Sequence, residues 1–197
     1  EQGLAEAQDR IGYSYYRGEG ITQNFREAMR WSRKAAEQGH AKAQFNIGSM
    51  YIRGEGVAED IGEALNWFRK AAEQGHAEAQ VILGFVYDNG EGVTQDFGEA
   101  LKWYRKAAEQ GNANAQSNIG RMHEFGRGLT TDVREAAKWY RKAAEHGDAD
   151  AQFSLGRIYL FGKGVSADKQ EAVTWFRKAA EQGHKLATEK LKQLGKL

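Results

Sequence analysis

Small and apolar residues recur along this chain at spacings of three and four. The blocks they form recur every 36 residues, as at Trp31, Trp67, Trp103, Trp139 and Trp175. In the first block Ala7, Ile11 and Tyr15 share one helical face, and Ala43, Ile47 and Tyr51 repeat it. Gly12, Gly48, Gly84, Gly120 and Gly156 stand mid-helix, where glycine costs about 1 kcal/mol against alanine. A cost kept in every copy implies a helix crossing too close for a methyl group. A glycine pair follows, first as Gly18-Glu19-Gly20, and ends the first helix. Then comes Asn24-x-x-Glu27, with Asp60, Asp96, Asp132 and Asp168 heading the later copies. This spacing predicts a capping box whose Glu reaches back to the cap backbone. A second helix carries Ala28, Trp31 and Ala35, with Arg33 and Lys34 near its negative end, and stops at Gly39.

The pattern therefore predicts an all-α chain of stacked helix hairpins, a solenoid with a 36-residue period. The units run over 4–39, 40–75, 76–111, 112–147 and 148–183, and a capping helix occupies 184–197. Polar residues at the ends fit solvated caps. Asp9, Ser14 and Ser32 stand where later copies place residues such as Phe45, Met50 and Phe68, and lysines dominate after Gly183. Glu1-Gln2-Gly3 matches Glu37-Gln38-Gly39, the tail of a unit, so the natural N-terminus is expected upstream.

Charge narrows the partners. With 28 basic and 27 acidic residues the chain lacks the basic excess of a nucleic-acid binder. No apolar run reaches the length of a membrane span, and the absence of cysteine removes disulfides and thiolate metal sites.

No phosphate loop, nucleophile elbow or zincin motif is present, and no cofactor is expected. The Gly-x-Gly runs read as helix connectors. His40, His76 and His184 hold one position in their units. Helices stacked about 8–10 Å apart cannot bring them to a shared ion at about 2 Å, so cap or loop roles are expected and no metal.

The residues the repeat does not explain lie opposite the predicted buried face of the first helices. At about 100° per residue these are the ninth, thirteenth and sixteenth positions and their copies. Eight of fifteen are apolar, which is unusual for a solvated face. Tyr13, Tyr16, Phe45, Ile52, Val81, Phe85, Phe153 and Leu160, with Arg53, Arg121 and Arg157 beside them, form a candidate partner-binding surface of aromatic anchors flanked by charge. Packing of successive first helices on one another is the alternative account of the same stripe. A second candidate patch is Phe125 and Phe161. They end a series that begins with Arg17 and Arg53, while the residue between the paired glycines changes from Glu19 to Lys163. Neutral drift on a solvated edge would give the same trend.

The pattern A-x-A-Q-x-x-[IL]-G-x-x-Y-x-x-G-x-G, continued by [DN]-x-x-E-A-x-x-W-x-R-K-A-A-E-Q-G, resembles the Sel-one-like repeat family of tetratricopeptide-like proteins. His123 in place of Tyr and Asn24 in place of Asp depart from it. The resemblance implies a right-handed α/α superhelix with first helices on its concave side, and a non-catalytic scaffold or adaptor that binds a protein or peptide in that groove. It implies as an alternative a bacterial immunity protein that neutralises a toxin or enzyme, and it favours a periplasmic or secreted bacterial setting. An enzyme acting on a small substrate would need a titratable cluster, for which Arg121, Glu124 and Arg157 come nearest. A structural spacer is a further alternative.

Overall fold

The computed structural model describes residues 2–196, which among them form eleven α-helices and no strand. They are α1 (Gln2–Arg17), α2 (Phe25–Glu37), α3 (Ala41–Arg53), α4 (Ile61–Glu73), α5 (Ala77–Asn89), α6 (Phe97–Glu109), α7 (Ala113–Phe125), α8 (Val133–Glu145), α9 (Ala149–Phe161), α10 (Lys169–Glu181) and α11 (Lys185–Gln193). Glu1 lies outside the described residues, and Gln2 and Gly3 belong to α1. The chain divides into two compact units, Glu1–Gln95 with α1 to α5 and Asp96–Leu197 with α6 to α11. The division falls inside the third 36-residue copy. Within each unit every helix packs on the next one in sequence.

The helix ends follow local chemistry. Asn24, Asp60, Asp96, Asp132 and Asp168 cap the second helices, each side chain accepting backbone N–H groups of the first turn. The reciprocal half of the expected capping box is absent at four of these caps. The cap N–H instead donates to the first helix of the same hairpin, Asn24 to the Tyr15 carbonyl at 2.9 Å and Asp168 to that of Tyr159 at 2.9 Å. Asp60 and Asp132 do the same to Tyr51 and His123. The connector between the two helices is thereby tied down by backbone. The glutamates are left to pair one turn on, as Glu99 does with Lys102 at 2.9 Å, or to accept from the indole of Trp175. The second glycine of the connector is required by close approach in three copies, at Gly56, Gly128 and Gly164. A Cβ on Gly56 would fall 2.3 Å from the Phe25 carbonyl oxygen, and one on Gly128 would fall 2.3 Å from Phe97.

The core forms at the junctions between hairpins. Trp67 of α4 packs with Ala28, Met29 and Ala35 of α2 and with Ile47 of α3, and Trp175 packs likewise on Ala136, Tyr140 and Leu155. Trp67, Trp103 and Trp175 are buried, while Trp31 and Trp139 are only half-buried. Each indole carries the lysine three residues on, Lys70 lying 4.1 Å from the Trp67 ring centre. A buried glutamine ties neighbouring hairpins. Gln44 donates to the Ala36 carbonyl at 3.1 Å and accepts from Gln74 at 2.6 Å, and Gln152 repeats the arrangement with Ala144 and Gln182.

The first hairpin is not the solvated cap its polar residues suggested. Asp9 and Ser32 are 3% exposed and Ser14 is half-buried. Asp9 accepts from Asn46 Nδ2 of α3 at 3.1 Å, so it is satisfied at the junction with the next hairpin. The side of α1 left open is the one that later first helices cover with the preceding hairpin. Ile11 is 39% exposed, whereas Ile47 and Ile119 are fully buried.

Candidate protein-binding face

In the unit 1–95 a mid-helix glycine sets how closely the two helices of a hairpin cross. A Cβ on Gly48 would fall 2.7 Å from the Phe68 ring, so α4 packs this ring directly against the α3 backbone. The first helices α1, α3 and α5 each leave a large side chain outward. Tyr13, Ile52 and Phe85 are 43%, 45% and 41% exposed.

Two adjoining hollows open along this row. The larger is a trough of about 750 Å³ walled by Phe45, Ile52 and Phe85, with Ile61, Leu65 and Phe68 of α4 on its other side and Arg53, Glu59 and Glu91 among its lining residues. The smaller, about 150 Å³, is lined by Gly12, Tyr13, Tyr16, Ser32, Asn46 and Arg53, among others. Phe45, Ser49 and Arg53 line both, so the two share a wall. Arg53 donates to the Tyr16 hydroxyl at 2.9 Å and lies 3.5 Å from Glu55, which fixes its guanidinium at that wall. Burial and the Glu55 carboxylate push the Tyr16 phenol up, so it remains a neutral hydroxyl.

The structure thus brings together Tyr13, Tyr16, Phe45, Ile52, Arg53 and Phe85. Val81 is half-buried on α5 and lines neither hollow. Phe45 also packs within the fold, stacked at 4.6 Å on His76 and tilted against Phe68 at 5.6 Å.

The remaining candidates belong to the unit 96–197. Phe153 stacks at 4.6 Å on His184, as Phe45 does on His76. Arg121 and Leu160 are half-buried. Arg157 donates to Glu124, whose other oxygen accepts the Tyr140 hydroxyl at 2.8 Å. Burial and this carboxylate push the Tyr140 phenol well above its ordinary value. Phe125 and Phe161 end α7 and α9 and are 59% and 60% exposed, with Lys190 over the Phe161 ring. The charge trend beside them has a local account. Arg17 and Arg53 pair with Glu19 and Glu55 across the connector, and where Phe125 replaces that arginine, Arg127 lies over the Phe97 ring.

Three of the five histidines are helix N-caps. Nδ1 of His40, His76 and His184 accepts the backbone N–H three residues on, where the other copies use Asn112 and Asp148. No group of three or more His, Asp or Glu among the described residues is placed to hold a metal ion. None of their helices is long and apolar enough to cross a membrane.

Sequence reasoning missed the far wall of the trough. Its signal was the first residue of the second helix. Phe25, Ile61, Phe97 and Val133 are apolar beside a polar cap, where a solvated residue would serve the helix equally well.

The Sel1 repeat profile matches residues 5–40, 41–76, 77–112, 113–148 and 149–184. A Sel1 repeat protein from Oxalobacter formigenes superimposes with a TM-score of 0.92 at 40% identity, over 96% of this chain and 78% of its own. A protective antigen present in uropathogenic Escherichia coli strains superimposes at 0.89 with 42% identity, over 94% of this chain and 40% of its own. An immunity protein from Pseudomonas aeruginosa shares the fold at 0.59 with 22% identity, over 93% of this chain and 67% of its own. No curated protein sequence matches the chain.

Proposed function

Because the chain belongs to the Sel1 repeat family, whose members generally mediate protein–protein interaction, we propose that it is a non-catalytic scaffold that binds a protein or peptide segment along α1, α3 and α5. The observation that carries this reading is the trough of Phe45, Ile52, Ile61 and Phe85. It is an apolar hollow kept open to solvent on a protein whose other large side chains are mostly spent on hairpin junctions. Apolar anchors of a partner enter it, and Arg53, already oriented by Tyr16, meets a carboxylate or a backbone carbonyl at the shared wall. In the titratable cluster of the other unit Glu124 accepts from both Tyr140 and Arg157, an arrangement that supports a scaffold over a catalyst. The likeness to the immunity protein is one of fold, and the reading does not depend on it.

Peptide display tests the proposal. A random library selected on the whole chain should yield peptides with spaced apolar residues that fail to bind Ile52→Asp. Peptides that bind Ile52→Asp equally well would place the binding surface elsewhere.

A further inference from the structure

One position of the repeat is filled by an aromatic ring in four copies and by a serine in the first: Ser32, Phe68, Tyr104, Tyr140 and Phe176. In three of these copies the ring lies on the mid-helix glycine of its own hairpin. A Cβ on Gly48, Gly120 or Gly156 would fall 2.7, 2.8 or 2.6 Å from the ring of Phe68, Tyr140 or Phe176. Phe68, Tyr140 and Phe176 are 2%, 3% and 0% exposed there. At Gly12 the small Ser32 takes the place of the ring, its Oγ 2.8 Å from where a Cβ on the glycine would fall, and the volume of a ring beyond it is left unfilled. The result is the smaller of the two hollows, about 150 Å³, with Gly12 and Ser32 among its lining residues.

We propose that this recess takes a phenylalanine or tyrosine side chain donated by the segment bound along α1, α3 and α5, completing the first hairpin as Phe68, Tyr140 and Phe176 complete theirs. The inference rests on the binding face proposed above and names the chemistry of one anchor. Two observations select an aromatic guest. The size fits, since a cavity of about 150 Å³ accepts benzene. The polar end suits a phenol. In the fourth copy the Tyr140 hydroxyl donates to Glu124 at 2.8 Å and also bonds Ser154, and the matching residues of the first copy are Tyr16 and Asn46. Asn46 donates its Nδ2 to Asp9, which leaves its carboxamide oxygen as an acceptor for a guest hydroxyl. Tyr16 supplies a neutral hydroxyl in place of the Glu124 carboxylate, and Arg53 beside it is paired with Glu55. The recess is continuous with the trough through Phe45, Ser49 and Arg53, so one extended segment spans both.

The probe is p-cresol, the tyrosine side chain without its backbone, titrated into the whole chain at up to about 10 mM, in the range of weak millimolar fragment binding. Saturation-transfer NMR should show p-cresol bound to the native protein and to Phe85→Ala. Binding should vanish in Ser32→Phe, which restores the ring of the other copies and should melt no lower than the native chain. Ser32→Leu, which fills the recess with a flexible aliphatic group, serves as a second block if Ser32→Phe packs poorly. Binding that survives both fillings, or its absence from the native protein, overturns the assignment. Because no peptide is used, a failed p-cresol titration leaves the larger trough standing. Conversely, a peptide selection that fails beside positive p-cresol binding removes the groove reading and leaves an isolated aromatic pocket.

Discussion

Phe68 lies so close over Gly48 that a Cβ on the glycine would fall 2.7 Å from the ring's Cε1. The pair explains why a helix interior tolerates glycine. The intrinsic gain of about 1 kcal/mol for alanine in a helix is outweighed by the displacement of a buried ring. Gly48→Ala should therefore destabilise the protein by about 1–2 kcal/mol, read as a lower urea midpoint, since overpacking typically costs about 1–3 kcal/mol. A higher midpoint would show that the crossing has slack.

Trp67 closes the junction between the first and second hairpins against Ala28, Met29, Ala35 and Ile47. Truncation to alanine should cost about 3–5 kcal/mol. Stability in a repeat fold is close to a sum of neighbour terms, so the loss should concentrate at one junction. Hydrogen exchange resolved along the chain should show α1 to α4 losing protection while α8 to α11 keep theirs. A uniform loss would contradict the junction account.

His76 links the cap of α5 to pH. As a neutral ring its Nδ1 accepts from the Ala79 N–H at 3.4 Å, and it stacks on Phe45. Once protonated, the same nitrogen donates, and Glu78 at 3.3 Å becomes its partner while the cap is lost. Burial is the main cause that lowers its pKa; Lys42 lowers it further and Glu78 opposes. With the folded value depressed, the unfolded chain binds the proton first. The contribution to stability is complete above the unfolded value of about 6.5 and declines as pH falls below it towards the folded value. His76→Asn, the cap that Asn112 already provides, should flatten the melting temperature between pH 7 and pH 5. An unchanged slope would move the pH dependence to another group.

What could be read in advance follows from locality. Caps, connectors and hairpin count rest on interactions within a few residues, so Asp60, Gly54 and Gly90 announce them directly. Trp67 and Trp175, at one position of the repeat, then mark a junction between hairpins in each unit. Two features depend on neighbours distant in sequence and were misread. Asp9 and Ser32 suggested solvent, but both are buried, Asp9 satisfied by Asn46 of the second hairpin and Ser32 set against Gly12 of its own. The glutamate of the cap pattern suggested a reciprocal bond, but the Tyr15 carbonyl takes the Asn24 N–H first. The near wall of the trough was visible in Ile52 and Phe85 as apolar residues on the wrong side of a helix. Its far wall was not, because Ile61 becomes part of it only after the hairpin folds.

The central claim is that the open row of α1, α3 and α5 is a contact surface, and Phe85 tests it most directly. Its ring is 41% exposed, so truncation removes little of the fold's own packing. For a peptide selected on the native chain, Phe85→Ala should weaken affinity by about 2 kcal/mol or more, roughly thirtyfold, while shifting the melting temperature only slightly. Lys102→Ala, on the exposed side of α6, should change neither. Unchanged affinity in Phe85→Ala, or a stability loss as large as that of Trp67→Ala, would show that the ring packs rather than binds and would contradict the account.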